Sequence, residues 1–483
     1  MLRQIADNSE VGVKHLAIMA AVGTSVSVLA IYQPIQVLAF TIAVGIGVVS
    51  LTRKTLAVKL MLLFGGIPLE QLGQDPNNPA DKPILRSLGG TTVDGLILVT
   101  VCLVFTIVLV RSRRLHVPHG MVPFLVFLSS TALAISYSSA RLDGLRLFLK
   151  LAYPVLLALL ALSFVKTKKE IDSAIKYWIA GALLATASGI TLYIVHGAEA
   201  FVSGGDVRYS SGLTYYGQFS MYMLAAFVLC YTMWRTGKRA RYGILSMIFG
   251  VQAALSETRI TWAAIAVAML VVEATSGTGL RRHLRVLGAA VVIGVFSLLI
   301  LWNVPQVQQR MFRSELEGPL SAAEGVERLD LSSRGILWAT LYEDYLLHNH
   351  WLGGGLGSSL PVIRRDFPPG VAAPHNEYLR LLHDTGIAGC ALFVISVAAL
   401  FELVISLVRR CASLGEATFS RVSLALLSAY VITAVTDNPF DYYLVFSQYI
   451  FFVIAVSVLV DKWRSNPTSG TPGLRMAESK DLD

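Results

Sequence analysis

Apolar runs recur along the chain, each of about 15 to 24 residues and so close to the roughly 20 that a helix needs to cross a bilayer. About fourteen can be read: 14–31, 35–51, 55–72, 92–110, 120–137, 144–165, 171–194, 213–234, 242–256, 260–275, 286–304, 386–408, 421–436 and 443–460. Every second loop between them is short and basic: TRK (52–54), RSRRLH (111–116), KTKK (166–169), RTGKRAR (235–241), RRHLR (281–285), RRC (409–411) and DKWR (461–464). Such loops stay on the cytoplasmic side. About fourteen spans with both termini inside accommodate all of them. The alternative of a soluble domain fails on charge: 15% of residues are charged, against about 25% in soluble proteins.

The net charge of +9 is explained by these loops, so no nucleic-acid partner is expected. The polar start MLRQIADNSEVGVK and the lack of a small-residue cleavage site predict no removable signal peptide. Cys102, Cys230 and Cys390 sit in apolar runs and Cys411 in a basic loop, which predicts neither a disulfide nor a metal site.

Two outer segments are long: 73–91, and 305–385 with about eighty residues. The expected organisation is a membrane part over 1–304, an outer helical segment over 305–385, a membrane part over 386–464 and a disordered cytoplasmic tail over 465–483. Within the outer segment, 332–348 reads as an amphipathic helix. Ser332 or Ser333 would cap it, and Ile336, Leu337, Trp338, Leu341, Tyr345 and Leu346 would form its apolar face. LGGGLG (352–357) follows as a flexible turn.

The densest polar cluster, APHNEYLRLLHDTGIAG (373–389), stands where the chain re-enters the membrane. Pro374 suits a first helical turn and Gly386 a helix stop. Tyr378, Leu381 and Leu382 make an apolar stripe, and the polar residues take the other faces. His375 in the first turn would meet the positive end of the helix dipole, which favours the form able to act as a base. It serves either as that base or as a cap at the interface. Asn376 and Glu377 stand beside it as supports. Metal binding is not expected: the segment is not His-Glu-x-x-His, and His348 and His350 have no familiar ligand spacing.

Arginines add an anion-binding theme. Arg208, in GGDVRYSSGLTYYGQFS, Arg259, in LSETRITWAA, and Arg334 all fall on the outer side. An arginine near membrane depth costs roughly 2.5 kcal/mol or more, so it has a partner or a task. Glu257 is the alternative partner for Arg259, and Arg334 is alternatively a solvated first-turn charge. Arg146 and Lys150 share a helix face with Asp143. They either snorkel, with Asp143 as the partner of Lys150, or face phosphate. Guanidinium groups bind oxyanions through a bidentate fork.

At these residues the chain resembles the O-antigen ligase and O-antigen polymerase superfamily. SETR, RYSSGLTYYGQFS, SSRGILW, WLGGGLG and APHNEYLRLLHDTGIAG carry the resemblance over about 200–400. It implies an all-α polytopic fold of 12–14 spans with a periplasmic helical subdomain, in a GT-C-like arrangement. It implies a metal-independent transferase without cofactor at the bacterial inner membrane, acting on its periplasmic face. The donor would be an undecaprenyl-diphosphate-linked oligosaccharide. The acceptor would be a glycan, as in a polymerase of O-antigen or exopolysaccharide, or lipid A–core, as in a ligase; related members modify proteins. Membrane lipids and polysaccharide export machinery would be partners. His375 would be the catalytic histidine, and Arg208, Arg259 and Arg334 would bind diphosphate. A polymerase is the first expectation and a ligase the second. A lipid or sugar transporter is the rival of another class, and a non-catalytic envelope scaffold a further one. Neither a repeat of Gly- or Pro-broken spans nor a set of deep acidic residues supports a transporter.

Overall fold

The computed structural model describes residues 49, 53–64, 92–112, 117–197, 202–203, 206–207, 209–211, 216–237, 239–256, 258–276, 283–291, 294, 334–367, 373–411 and 417–465. Apolar runs become helices because lipid leaves backbone N–H and C=O groups no partner but each other. The helices are α1 (Lys54–Phe64), α2 (Thr92–Ser112), α3 (Val122–Ser136), α4 (Arg141–Phe164) and α5 (Lys168–His196). A two-residue hairpin pairs β1 (Val202–Ser203) with β2 (Asp206–Val207). Then come α6 (Tyr216–Gly237), α7 (Ala240–Leu255), α8 (Arg259–Thr275), α9 (Arg334–Leu346) and α10 (Ser359–Asp366). The last three are α11 (Glu377–Arg410), α12 (Thr418–Thr436) and α13 (Gln448–Ser465), the last entered through a π turn, Tyr443–Ser447. The expected spans 14–31, 35–51 and 286–304 fall wholly or largely outside the described residues.

Six of the described helices are long and apolar enough to cross a membrane: His119–Ser136, Arg141–Phe164, Lys168–Val195, Glu377–Arg410, Thr418–Thr436 and Tyr443–Ser465. α4 and α13 are central, with 78% and 83% of their spanning windows buried. α3, α5 and α11 are 33% buried and turn apolar faces outward. Leu133, Ile194, Met247 and Val394 are among the large side chains left exposed, the surface that lipid rather than water covers.

Apolar burial alone does not bind helices in lipid, so packing and hydrogen bonds do. Tyr449 of α13 stacks on Trp178 of α5 at 4.3 Å and on Tyr222 of α6 at 5.3 Å. Its hydroxyl donates to the Leu62 carbonyl of α1 at 2.8 Å. The Tyr153 hydroxyl of α4 donates to Gln448 Oε1 at 2.9 Å. α5 opens with a capping box: Thr167 accepts from the Glu170 N–H, and Glu170 accepts from the Thr167 N–H.

Three side-chain bonds orient the helices that frame the candidate site. Thr261, at the start of α8, donates to Ser220, at the start of α6. Thr418, at the start of α12, donates to Thr236, at the end of α6. Arg421, also near the start of α12, donates to the Thr275 carbonyl at the end of α8. So α6 and α8 run together and α12 runs against both. The starts of α6 and α8 therefore share one end of the bundle with Thr436, the last residue of α12.

The outer segment differs from its sequence reading in three ways. α9 buries Leu337, Leu341 and Tyr345, one stripe at i, i+4 and i+8, while Ile336 and Leu346 point outward at 68% and 48% exposure. The glycine turn is pinned rather than loose: Gly354 N–H donates to the His383 carbonyl, Leu356 N–H to the Ala134 carbonyl, and Gly357 N–H to Asp384 Oδ2. Gly386 interrupts α11 without ending it, with φ 65° and ψ −170°. A Cβ there would collide with the Trp351 backbone. The N–H groups freed by the break donate to the loop, Ile387 to the His350 carbonyl at 2.9 Å and Ala388 to the Trp351 carbonyl at 3.2 Å.

Candidate functional site

The helix carrying the polar cluster starts later than expected. Asn376 is its N-cap, its side chain accepting from the Leu379 N–H at 3.0 Å, and the helix runs from Glu377. An Asn side chain satisfies an orphan N–H of the first turn, so it outcompetes Pro374 for the boundary. His375 therefore lies outside the helix rather than in its first turn. Its φ of 54° is the one left-handed value at a non-glycine among the described residues. Such a conformation costs free energy that the surroundings must supply. Here the His375 N–H donates to Asn438 Oδ1 at 2.8 Å.

Asn438 belongs to a turn, TDNPFDYY (436–443), between α12 and α13. This turn supplies the partners that sequence reasoning missed. His375 Nδ1 lies 3.4 Å from Asp437 Oδ1 and 3.1 Å from Asn438 Nδ2. Asp437 is itself held by the Tyr442 hydroxyl and the Asn438 N–H, each donating at 2.9 Å. The His375 side chain is 36% exposed and Asp437 6%. The imidazole is thus half-buried, with a buried carboxylate near Nδ1. That is the arrangement by which a carboxylate orients an imidazole.

Beneath it lies a buried charge network. Arg380 Nη1 contacts Glu377 Oε1 at 3.4 Å and Asp441 Oδ2 at 3.0 Å. Lys150 of α4 reaches Asp441 Oδ1 at 2.7 Å. The Phe440 N–H donates to Glu377 Oε1 at 3.2 Å. Two cations thus face two carboxylates, which is how buried charge is tolerated. Glu377 Oε2 and Arg380 Nε remain without a hydrogen-bond partner. Glu377, Arg380, His383 and Asp384 are all buried, so the polar side of the helix head faces protein. The partner of Lys150 is Asp441 and not Asp143. Asp143 instead takes a bidentate pair from Arg364 at 2.8 and 3.0 Å and a longer contact from Arg146 at 3.9 Å. The hydrogen bonds that it donates to Asp143 push the Arg364 guanidinium further up from its ordinary value.

The expected arginines fall as follows. Arg334, the first residue of α9, donates to the Thr436 carbonyl at 2.7 Å, next to Asp437. Trp338, one turn on, donates to the Pro374 carbonyl at 3.0 Å, next to His375. Arg259 is the first residue of α8 and shares the bundle end of Thr436. Arg208 and Glu257 lie outside the described residues. The flank of Arg208 is anchored there: Ser188 donates to the Ser211 carbonyl at 2.7 Å, and Tyr209 packs edge-on to Phe219, near the start of α6.

One signal in the sequence could have found the turn. Asp437, Asn438 and Asp441 fall in one short lysine-free link between two apolar runs, the same anomaly that drew attention to 373–389. Separation along the chain hid the pairing, since His375 and Asp437 stand 62 residues apart.

Residues 244–394 match the family model described as O-antigen ligase. No curated protein matches the chain. The matched segment contains Arg259, Arg334 and His375, and it ends before the turn that holds the histidine. The match supports a ligase or polymerase type of function in polysaccharide assembly, with a lipid-linked glycan and an acceptor as the general substrates. The chain thus has six described helices long and apolar enough to cross a membrane, and over 244–394 it is similar to the O-antigen ligase family.

Proposed function

We propose that the protein transfers a glycan from an undecaprenyl-diphosphate carrier to a sugar hydroxyl on the periplasmic face of a bacterial inner membrane. The observation that carries this reading is the meeting of His375 with Asp437 and Asn438, at the bundle end where Arg334 is bound and Arg259 begins its helix. Nε2 of His375 takes the proton of the acceptor hydroxyl in the tautomer whose Nδ1–H turns to Asp437 Oδ1 and away from the Asn438 amide N–H. The acceptor oxygen bonds to the anomeric carbon, and the bond from that carbon to the diphosphate oxygen breaks. Arg208, Arg259 and Arg334 stabilise the charge that develops on the leaving diphosphate. Asp437 holds the imidazolium until its proton passes to solvent. Guanidinium groups stand where other transferases use a metal cation, and no organic cofactor takes part. The architecture that goes with this reading is the GT-C-like one of 12–14 spans, both termini cytoplasmic, with 305–385 outside.

A polymerase of O-antigen or exopolysaccharide is the first form of the reading. The ligase form, with lipid A–core as acceptor, is favoured by the description of the matching family model. A deletion strain separates them: single repeats on the acceptor mark a polymerase, and free polymer beside unmodified core marks a ligase. The chemistry is tested with protein purified in detergent and a polyprenyl-diphosphate glycan. Wild type should release polyprenyl diphosphate, and His375→Ala should lose on the order of 10²–10⁴-fold in rate while still accumulating in the membrane. Unchanged release by His375→Ala would overturn the role of the histidine.

A further inference from the structure

Two turns beyond the proposed catalytic histidine, the head of α11 meets α9 through a second cluster. Asp344 near the end of α9, His348 in the turn after it, and His383 on α11 bring one ligand atom each to within 4.8 Å of the others. Asp344 Oδ2 lies 3.2 Å from His348 Nε2 and 3.0 Å from His383 Nε2. A zinc ion bound at about 2.0–2.1 Å to nitrogen and oxygen in a tetrahedron sets its ligand atoms roughly 3.3 Å apart. Two edges of such a figure are therefore already close to length. The two imidazoles stand at 86° to each other, 5.6 Å apart.

The surroundings are built in the manner of a metal centre. His383 is fully buried, and its other nitrogen, Nδ1, lies 3.2 Å from Asp384 Oδ1 and 3.2 Å from Ser358 Oγ. A carboxylate on the second ring nitrogen is the support that fixes the tautomer of a metal-bound histidine. Asp384 is itself fixed, accepting from the Gly357 and Ser359 N–H groups at 2.8 Å each. The second carboxylate oxygen of Asp344 faces Arg365 at 3.6 Å, which leaves Oδ2 to the histidines. The His348 side chain is 37% exposed, so an ion has a route from solvent.

We propose that Asp344, His348 and His383 bind a borderline divalent cation of the zinc class, with a water completing the tetrahedron. Two imidazoles and one carboxylate suit such a cation better than magnesium or calcium, which prefer all-oxygen cages. The ion locks the end of α9 to the head of α11, and thereby the glycine turn that follows α9. Sequence spacing gave no hint of it, because His383 joins Asp344 from 39 residues away. The inference does not rest on the transfer reaction, and its test reads metal directly.

Full-length protein in detergent is stripped with chelator and titrated with Zn²⁺, and separately with Co²⁺. Wild type should take up one equivalent by elemental analysis, melt higher with zinc, and show the visible absorption of four-coordinate cobalt. His348→Ala and His348→Gln, at a half-exposed position, should melt like stripped wild type and lose all three signals. Asp344→Asn should weaken uptake by at least about tenfold. No uptake by wild type, or the same uptake by either His348 variant, would overturn the site and leave a hydrogen-bonded relay between two carboxylates.

Discussion

The two ends of the helix bundle hold charge in different ways. At the end of the basic loops, the buried Glu273 and the half-buried Asp461 are both saturated. Glu273 accepts from Arg235 at 2.5 and 2.8 Å and from the Tyr231 hydroxyl at 2.7 Å. Asp461 pairs with Arg464 at 2.9 Å and Arg410 at 3.4 Å. At the opposite end the groups are positioned but incompletely used. Glu377 Oε2 and Arg380 Nε lack partners, and His375 is held in a left-handed conformation with its side chain over a third exposed. Saturated pairs stabilise one arrangement. Polar groups that are fixed by their surroundings and left with spare capacity are what a reacting ligand requires.

That contrast is open to attack by substitution. Arg380→Met should have the largest effect, because it strands the buried Glu377 and leaves the half-buried Asp441 with Lys150 alone. A loss of roughly 3–5 kcal/mol is expected, seen as a lowered melting temperature in detergent. Adding Glu377→Gln should restore part of it; no recovery would mean that the network is not electrostatic. Arg235→Ala at the other end should cost about 3 kcal/mol by stranding Glu273, yet leave transfer per folded molecule unchanged. A fall in that specific rate would erase the division between the two ends. Asp437→Asn should slow transfer by about 10- to 100-fold, a share of what base catalysis contributes, with little change in acceptor KM. An effect on KM alone would make Asp437 a binding group. Arg364→Ala, which removes a half-exposed pair with Asp143, should change stability by less than about 1 kcal/mol and leave transfer intact.

Particular elements tell how far the chain could be read without coordinates. The run 421–436 emerges as Thr418–Thr436, and 171–194 as Lys168–His196. Long apolar segments have one backbone solution in lipid, so the periodicity and the caps are local information. The helix start at Glu377 was misplaced because Pro374 and Asn376 both signal a boundary, and only the bond from Asn376 to the Leu379 N–H decides between them. The face of α9 was half right: 337, 341 and 345 are buried, but nothing in the helix itself says whether Ile336 meets protein or not.

The sequence by itself determined the membrane class and the helical identity of the described spans, and it drew attention to 373–389 with its histidine. Composition and loop charge suffice for these, since each depends on residues adjacent in the chain. Only the tertiary structure decided what those polar residues face. Asp437 and Asn438 behind His375, Asp441 beneath Arg380 and Lys150, and Asp344 against His383 are joined across dozens to hundreds of residues. Hydrogen bonds and ion pairs act over about 3 Å, and such proximity comes from helix packing, which no local pattern encodes.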